Sequence, residues 1–221
     1  MVAKRMIRGV DCRLLLLAGL AFLLSSCATA YYKTMESFGV HKREILVDRV
    51  EDARDSQEEA GEQFKTALEK FREVVNFDGG ELERMYDQLS AEYERSEAKA
   101  DEVHERIASV EKVAGDLFAE WENELNEYSD ARLRRSSEQK LRKTRANYSQ
   151  LIAAMRRAED KMPPVLAQLK DQVLFLKHNL NAQAIGSLQG VSTDLQGDVD
   201  ELLRELEKSI SEANKFIDQL L

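Results

Sequence analysis

Cys27 is the residue whose surroundings point to a defined reaction. It follows Leu24-Ser25-Ser26, and ahead of these stand four basic side chains (Lys4, Arg5, Arg8, Arg13) and an apolar run of 11 residues, Leu14 to Leu24. A leucine three positions before a cysteine, with small residues between, resembles a lipobox. In that chemistry the thiol takes up a diacylglycerol, the chain is cut just before the cysteine, and the freed amine is acylated. An 11-residue helix rises about 16 Å, roughly half of the ~30 Å hydrocarbon layer. The run is therefore too short to span a membrane and has the length of a signal peptide's apolar region. The expected organisation is a signal peptide over 1–26, a lipidated tether over 27–30 beginning at Cys27, and one helical domain over 31–221. The acyl chains of such a cysteine suffice for stable anchoring. Ala28 stands where an aspartate would hold the protein at the inner membrane under the enteric sorting rule, so an outer-membrane lipoprotein facing the periplasm is expected.

The second feature with possible chemistry is a block of cations. Arg132, Arg134, Arg135, Lys140, Arg142, Lys143, Arg145, Arg156 and Arg157 lie within 26 residues, opposed only by Glu138. The mature chain would carry 28 basic and 40 acidic side chains, a net charge of −12, so the block stands out against an acidic body. One reading is internal: Glu44, Asp48, Glu51, Asp52, Asp55, Glu58, Glu59 and Glu62 give the first helix a complementary acidic face. The other is that the part from Arg132 to Arg145 binds an anionic lipid, glycan or peptide. Nucleic acid is not an expected partner of an exported acidic protein.

Catalytic and metal constellations are missing from the sequence. His41, His104 and His178 lie in separate segments without a ligand spacing. No Gly-x-Ser-x-Gly elbow or phosphate loop occurs. Cys12 leaves with the signal and Cys27 is consumed by acylation, so no thiol remains for a disulfide or a metal. No enzyme activity, cofactor, metal or small-molecule substrate is expected.

The elements that must position these groups are long helices. Two prolines and 10 glycines in 221 residues, with 33% charged side chains, suit helices better than sheets. A 4-3 seam runs Leu46, Val50, Ala53, Gln57, Ala60, Phe64, Ala67, Phe71, Val74. Turn chemistry follows at Asn76 to Gly80. A second seam runs from Leu82 through Leu89, Ser96, Val103, Val110 and Leu117 to Trp121, which is expected in the core. A helix starting near Tyr31 would match it in length, and the two should pair antiparallel.

Ile45, Val47, Leu68, Val75, Met85 and Val113 widen the apolar stripe beyond that of a two-stranded coil, so more helices must share the core. A third seam starts at Leu133, Ser137 and Leu141. It passes Leu151, Met155 and Met162 and continues in register beyond Pro163-Pro164 to Leu176. A kink or short break is expected at the prolines, without a full reversal. The stretch Asn179 to Gly190 reads as a further break, before a last helix carrying Leu195, Val199, Leu202, Leu206, Ile210, Ala213 and Ile217. The expected fold is all-α, an elongated antiparallel bundle of three to four helices. Gln57, Ser96, Ser137 and Thr144 occupy seam positions, where polar residues fix register or line a wet gap.

The stretches Tyr31 to Glu36, Gly39 to Arg54, Val75 to Gly80 and Leu176 to Ala182 resemble the bacterial family catalogued as domain of unknown function 2959. The resemblance covers roughly residues 30 to 220. It implies a Gram-negative envelope lipoprotein without assigned activity and supplies no site residues. Two functions stay open: a non-enzymatic scaffold or adaptor with an envelope protein partner or self-association, and a binding module using the basic strip or an apolar groove lined by Met155, Met162, Leu166 and Phe175.

Overall fold

The structure is a computed structural model that describes residues 42–76, 81–179 and 182–220. The chain divides into two compact units, Met1–Ile45 and Leu46–Leu221. Of the first, only the opening turn of a helix is described. Cys27, the signal region, Tyr31 and His41 lie outside the described residues, as does most of the turn after Asn76.

Five helices are described: α1 (Lys42–Val75), α2 (Leu82–Glu124), α3 (Ala131–Glu159), α4 (Met162–His178) and α5 (Ala182–Leu220). No strand occurs among the described residues. Within Leu46–Leu221 the cross-helix bonds give the topology. α1 runs antiparallel to α2, because Gln63 meets Glu92, Glu59 meets Lys99 and Asp52 meets Arg106 as one helix ascends and the other descends. α3 descends past α2 in the same way, with Arg145 on Glu122 and Arg156 on Glu111. α5 opposes α1 through Gln57–Ser209 and Arg54–Asn214. The result is an up-down-up-down bundle of four rods, the all-α architecture that the heptad seams predict.

The third rod is α3 plus α4. α3 ends at Glu159, Asp160 and Lys161 make one turn, and α4 resumes at Met162 with the prolines in its first turn. There the missing N–H groups would have had no helical acceptor. The partners on α5 shift smoothly across this break: Arg157 with Glu205, Lys161 with Glu201, Gln168 with Asp198. The rod is therefore interrupted without turning back.

The nine α1 seam positions from Leu46 to Val74 are all buried, and Val47, Leu68, Val75 and Val113 are buried beside the seams as well. Three expectations need correction. Gly186 and Gly190 lie inside α5, which begins at Ala182, so they do not belong to the break. Burial of Ile185, Leu188 and Leu195 outweighs a glycine penalty of about 0.5–1 kcal/mol each. On α5 Ser209, and not Ile210, takes the core position. Steps of three and four residues both keep a heptad in register, and the small hydroxyl fits against Gln57 where an isoleucine would not. Trp121 is half-buried, because its indole N–H donates to Ser137 Oγ at 2.8 Å near the bundle's edge.

Of the polar seam residues, Gln57, Ser96 and Ser137 are bonded to protein. Ser209 Oγ donates to Gln57 Oε1 at 2.7 Å, and Gln57 Nε2 reaches the Met155 carbonyl at 3.5 Å. One amide thus joins α1, α3 and α5. Ser96 Oγ donates to the Glu92 carbonyl at 2.8 Å. The Ser56 hydroxyl is buried without a hydrogen-bond partner among the described residues.

Candidate functional site

The basic block is split by its surroundings. Its C-terminal half is absorbed into the bundle. Arg156 donates to both oxygens of Glu111 on α2 and to Glu159 at 2.6 Å, and these carboxylates raise its pKa. Glu159 also bonds His104 Nδ1 at 2.6 Å. Arg157 lies 3.9 Å from Glu205 on α5. Arg145 pairs with Glu122, and its guanidinium stacks over Phe118 at 5.2 Å from the ring centroid. The Arg145 hydrogen bond holds the Glu122 carboxyl below the usual range. The acidic face of α1 is not the counterpart that the sequence suggests. The recorded cross-helix partners of the block lie on α2 and α5, and α1 carboxylates instead meet α2 cations such as Lys99 and Arg106.

The N-terminal half has a different fate. Arg132, Arg134, Arg135, Lys140 and Lys143 are exposed and form no ion pair among the described residues. Among the described residues Arg142 pairs with Glu138 alone, one turn back, at 2.8 Å. α3 is launched here by Asp130, whose carboxylate accepts from the backbone N–H groups of Arg132 and Leu133 at 2.7 and 3.3 Å. Arg132, Arg135 and Lys143 fall within about 80° of one another on the helix, away from the seam and beside Ser136, whereas Lys140 flanks the seam. Leu133 and Tyr128 are 52% and 41% exposed at the same tip.

Leu133 opens the third seam, yet no residue of α3 before Leu141 is buried. The reason is length. α5 ends at Leu220, and Gln219 bonds Asn147, so α3 from Ala131 to about Asn147 extends past its α5 neighbour by roughly 24 Å of helix. At the base of this projection Phe118 meets Tyr148 edge-on at 5.4 Å and Phe216 lies 6.3 Å beyond. These aromatics close the core of α2, α3 and α5.

Burial, and secondarily the charge of Glu111, pushes the Tyr148 hydroxyl from 10.0 to about 12. A raised pKa means that the neutral phenol stabilises the fold fully below pH 10 and that this contribution is lost as pH rises to 12. Tyr148→Phe should therefore move alkaline unfolding upward, removing a loss on the order of 1–2 kcal/mol after allowance for partial solvent contact. Circular dichroism from pH 9 to 12.5 reads the change, and coincident curves for the two proteins would contradict it.

Glu92 is a buried carboxylate that the periodicity misses, since Tyr93 holds the seam position. It accepts from Arg95 Nε at 3.0 Å and Gln63 Nε2 at 2.9 Å, and chiefly the Arg95 bond lowers its pKa. The only available signal is the Glu92–Arg95 spacing of three. His178 is exposed at the end of α4. Among the described residues no group of His, Cys, Asp or Glu is arranged to hold a metal ion, and no helix is long and apolar enough to cross a membrane. Met155 and Met162 are buried in the core, so they do not line an open apolar groove. The α3–α5 surface instead carries a shallow polar depression of about 130 Å³ beside Asn147, Glu212 and Gln219.

No curated protein and no solved structure matches the chain. The family model described as a protein of unknown function (DUF2959) matches residues 31–220, and with nearly the whole sequence aligned the chain belongs to that family.

Proposed function

We propose that the protein is an envelope lipoprotein, anchored to the outer membrane through acylated Cys27, whose periplasmic bundle serves as a non-enzymatic scaffold or adaptor. The observation that carries the anchor is Leu24-Ser25-Ser26-Cys27 directly after a short apolar run with a basic start. The bundle supports the scaffold reading. Its core is sealed by aliphatic and aromatic side chains, and polar pairs such as Gln57–Ser209 and Arg156–Glu111 tie one helix to the next. The exposed cations from Arg132 to Lys143 favour a second reading, in which the same body binds an anionic component of the envelope.

The test is metabolic labelling with an alkyne fatty acid, followed by membrane fractionation. The wild-type protein should carry the label and float with the outer membrane, and Cys27→Ser should lose the label and its lipid-dependent flotation. A wild-type chain without label, or equal flotation of the two proteins, overturns the anchor. Recovery with the inner membrane would overturn the placement alone.

A further inference from the structure

We infer that the tip of the α2–α3 hairpin docks on an anionic phospholipid surface, the one that carries the protein's own lipid. For its orientation this rests on the anchor at Cys27. The tip supplies the chemistry itself: five exposed cations without a carboxylate partner among the described residues, and Tyr128 and Leu133 beside them. Basic side chains near the surface of an acidic leaflet add attraction per charge. A tyrosine ring suits the headgroup level and a leucine the acyl boundary. The rest of the chain is acidic, so the same leaflet repels the body and selects this end.

The topology permits the same contact. α1 runs antiparallel to α2, so α1 enters the bundle at the end where α2 leaves it, which is the end of the tip. Cys27 precedes Leu46 by 19 residues, a separation that even a fully extended chain keeps below about 70 Å. A membrane holding the Cys27 lipid therefore lies within reach of the tip. α5 stops at the level of Asn147, so it does not shield the outward face around Ser136.

The experiment uses the lipidated protein with Ser136→Cys as its one free thiol, labelled with an environment-sensitive fluorophore. It is added to phosphatidylcholine vesicles with or without 30% (about a third) phosphatidylglycerol, the composition chosen so that surface charge is the variable. Flotation on the zwitterionic vesicles reads the anchor, and quenching of the fluorophore by brominated lipid reads the tip. Strong quenching on anionic vesicles only, abolished by high salt and by Arg132→Glu, Arg135→Glu, Lys140→Glu and Lys143→Glu combined, is expected. In that variant tip occupancy should fall on the order of a hundredfold or more, with flotation retained. A protein that floats while its fluorophore stays in water overturns the proposal. Failure to float on zwitterionic vesicles with quenching intact on anionic ones refutes the anchor and leaves the tip standing. A photo-crosslinker at Ser136 that captures an acidic protein, without quenching by lipid, reassigns the cations to that partner and overturns lipid docking.

Discussion

Replacing Gln57 by Glu should destabilise the bundle by about 3–5 kcal/mol at pH 7 and by far less near pH 4. Gln57 is fully buried on α1. Its Oε1 receives the Ser209 hydroxyl at 2.7 Å, and its Nε2 faces the Met155 carbonyl at 3.5 Å. A carboxylate of the same shape keeps the first bond, turns the second into an approach of two acceptors, and brings a charge with no cation opposite. Burial raises the folded pKa of such a carboxyl above its unfolded value of about 4.3. By linkage the variant holds its stability below that value, where the carboxyl is protonated in both states, and loses it as pH rises through the folded pKa.

The wild-type carboxylates work in the opposite sense. Glu92, Glu102 and Glu201 have lowered pKa values, led by bonds to Arg95, Lys99 and Lys161 respectively. Their contributions are present above the unfolded pKa and lost as acid protonates them. Urea unfolding at pH 4, 5.5 and 7 separates the two, because the gap between variant and wild type must widen with pH. A gap independent of pH would mean that water reaches position 57. Gln57→Leu serves as the control: it leaves Ser209 without its acceptor, costs about 1–3 kcal/mol, and shows no such widening.

Gln57 also marks how far periodicity carries. The seam of α1 was legible in full, because each of its nine positions faces neighbours along the whole described length. The register through Pro163-Pro164 was legible for a related reason: a break that keeps the apolar stripe aligned must keep the rod's direction. Ser209 was not, since Leu206 to Ala213 accommodates either Ser209 or Ile210 and only the amide of Gln57 decides between them. Glu92 was hidden because its burial depends on Gln63 from another helix and Arg95 one turn on. The cation block was visible as composition, but its division was not. Arg145 and Arg156 reach partners 23 and 45 residues away, whereas Arg132 to Lys143 lie where α5 has already ended.

That division yields the second large effect, from two leucines on one seam. Leu133 and Leu151 read alike in the sequence, both apolar at 4-3 spacing on α3. Leu151 is fully buried and Leu133 is 52% exposed. Truncating Leu151 removes side-chain contacts at the centre of the bundle and leaves a cavity that rigid helices cannot fill, so Leu151→Ala should cost about 2–5 kcal/mol. Leu133→Ala removes a side chain that already meets water and should stay within about 0.5 kcal/mol. Alanine's helix propensity offsets part of even that small loss. Denaturant midpoints for the two variants measure the difference directly. Equal destabilisation would mean that something covers the α2–α3 tip in solution, and the exposed cations could then no longer be read as a free surface. A large effect at Leu151 with none at Leu133 would place the boundary between packed core and free tip within α3, before Leu141 and beyond the level of Asn147, at which α5 has been left behind.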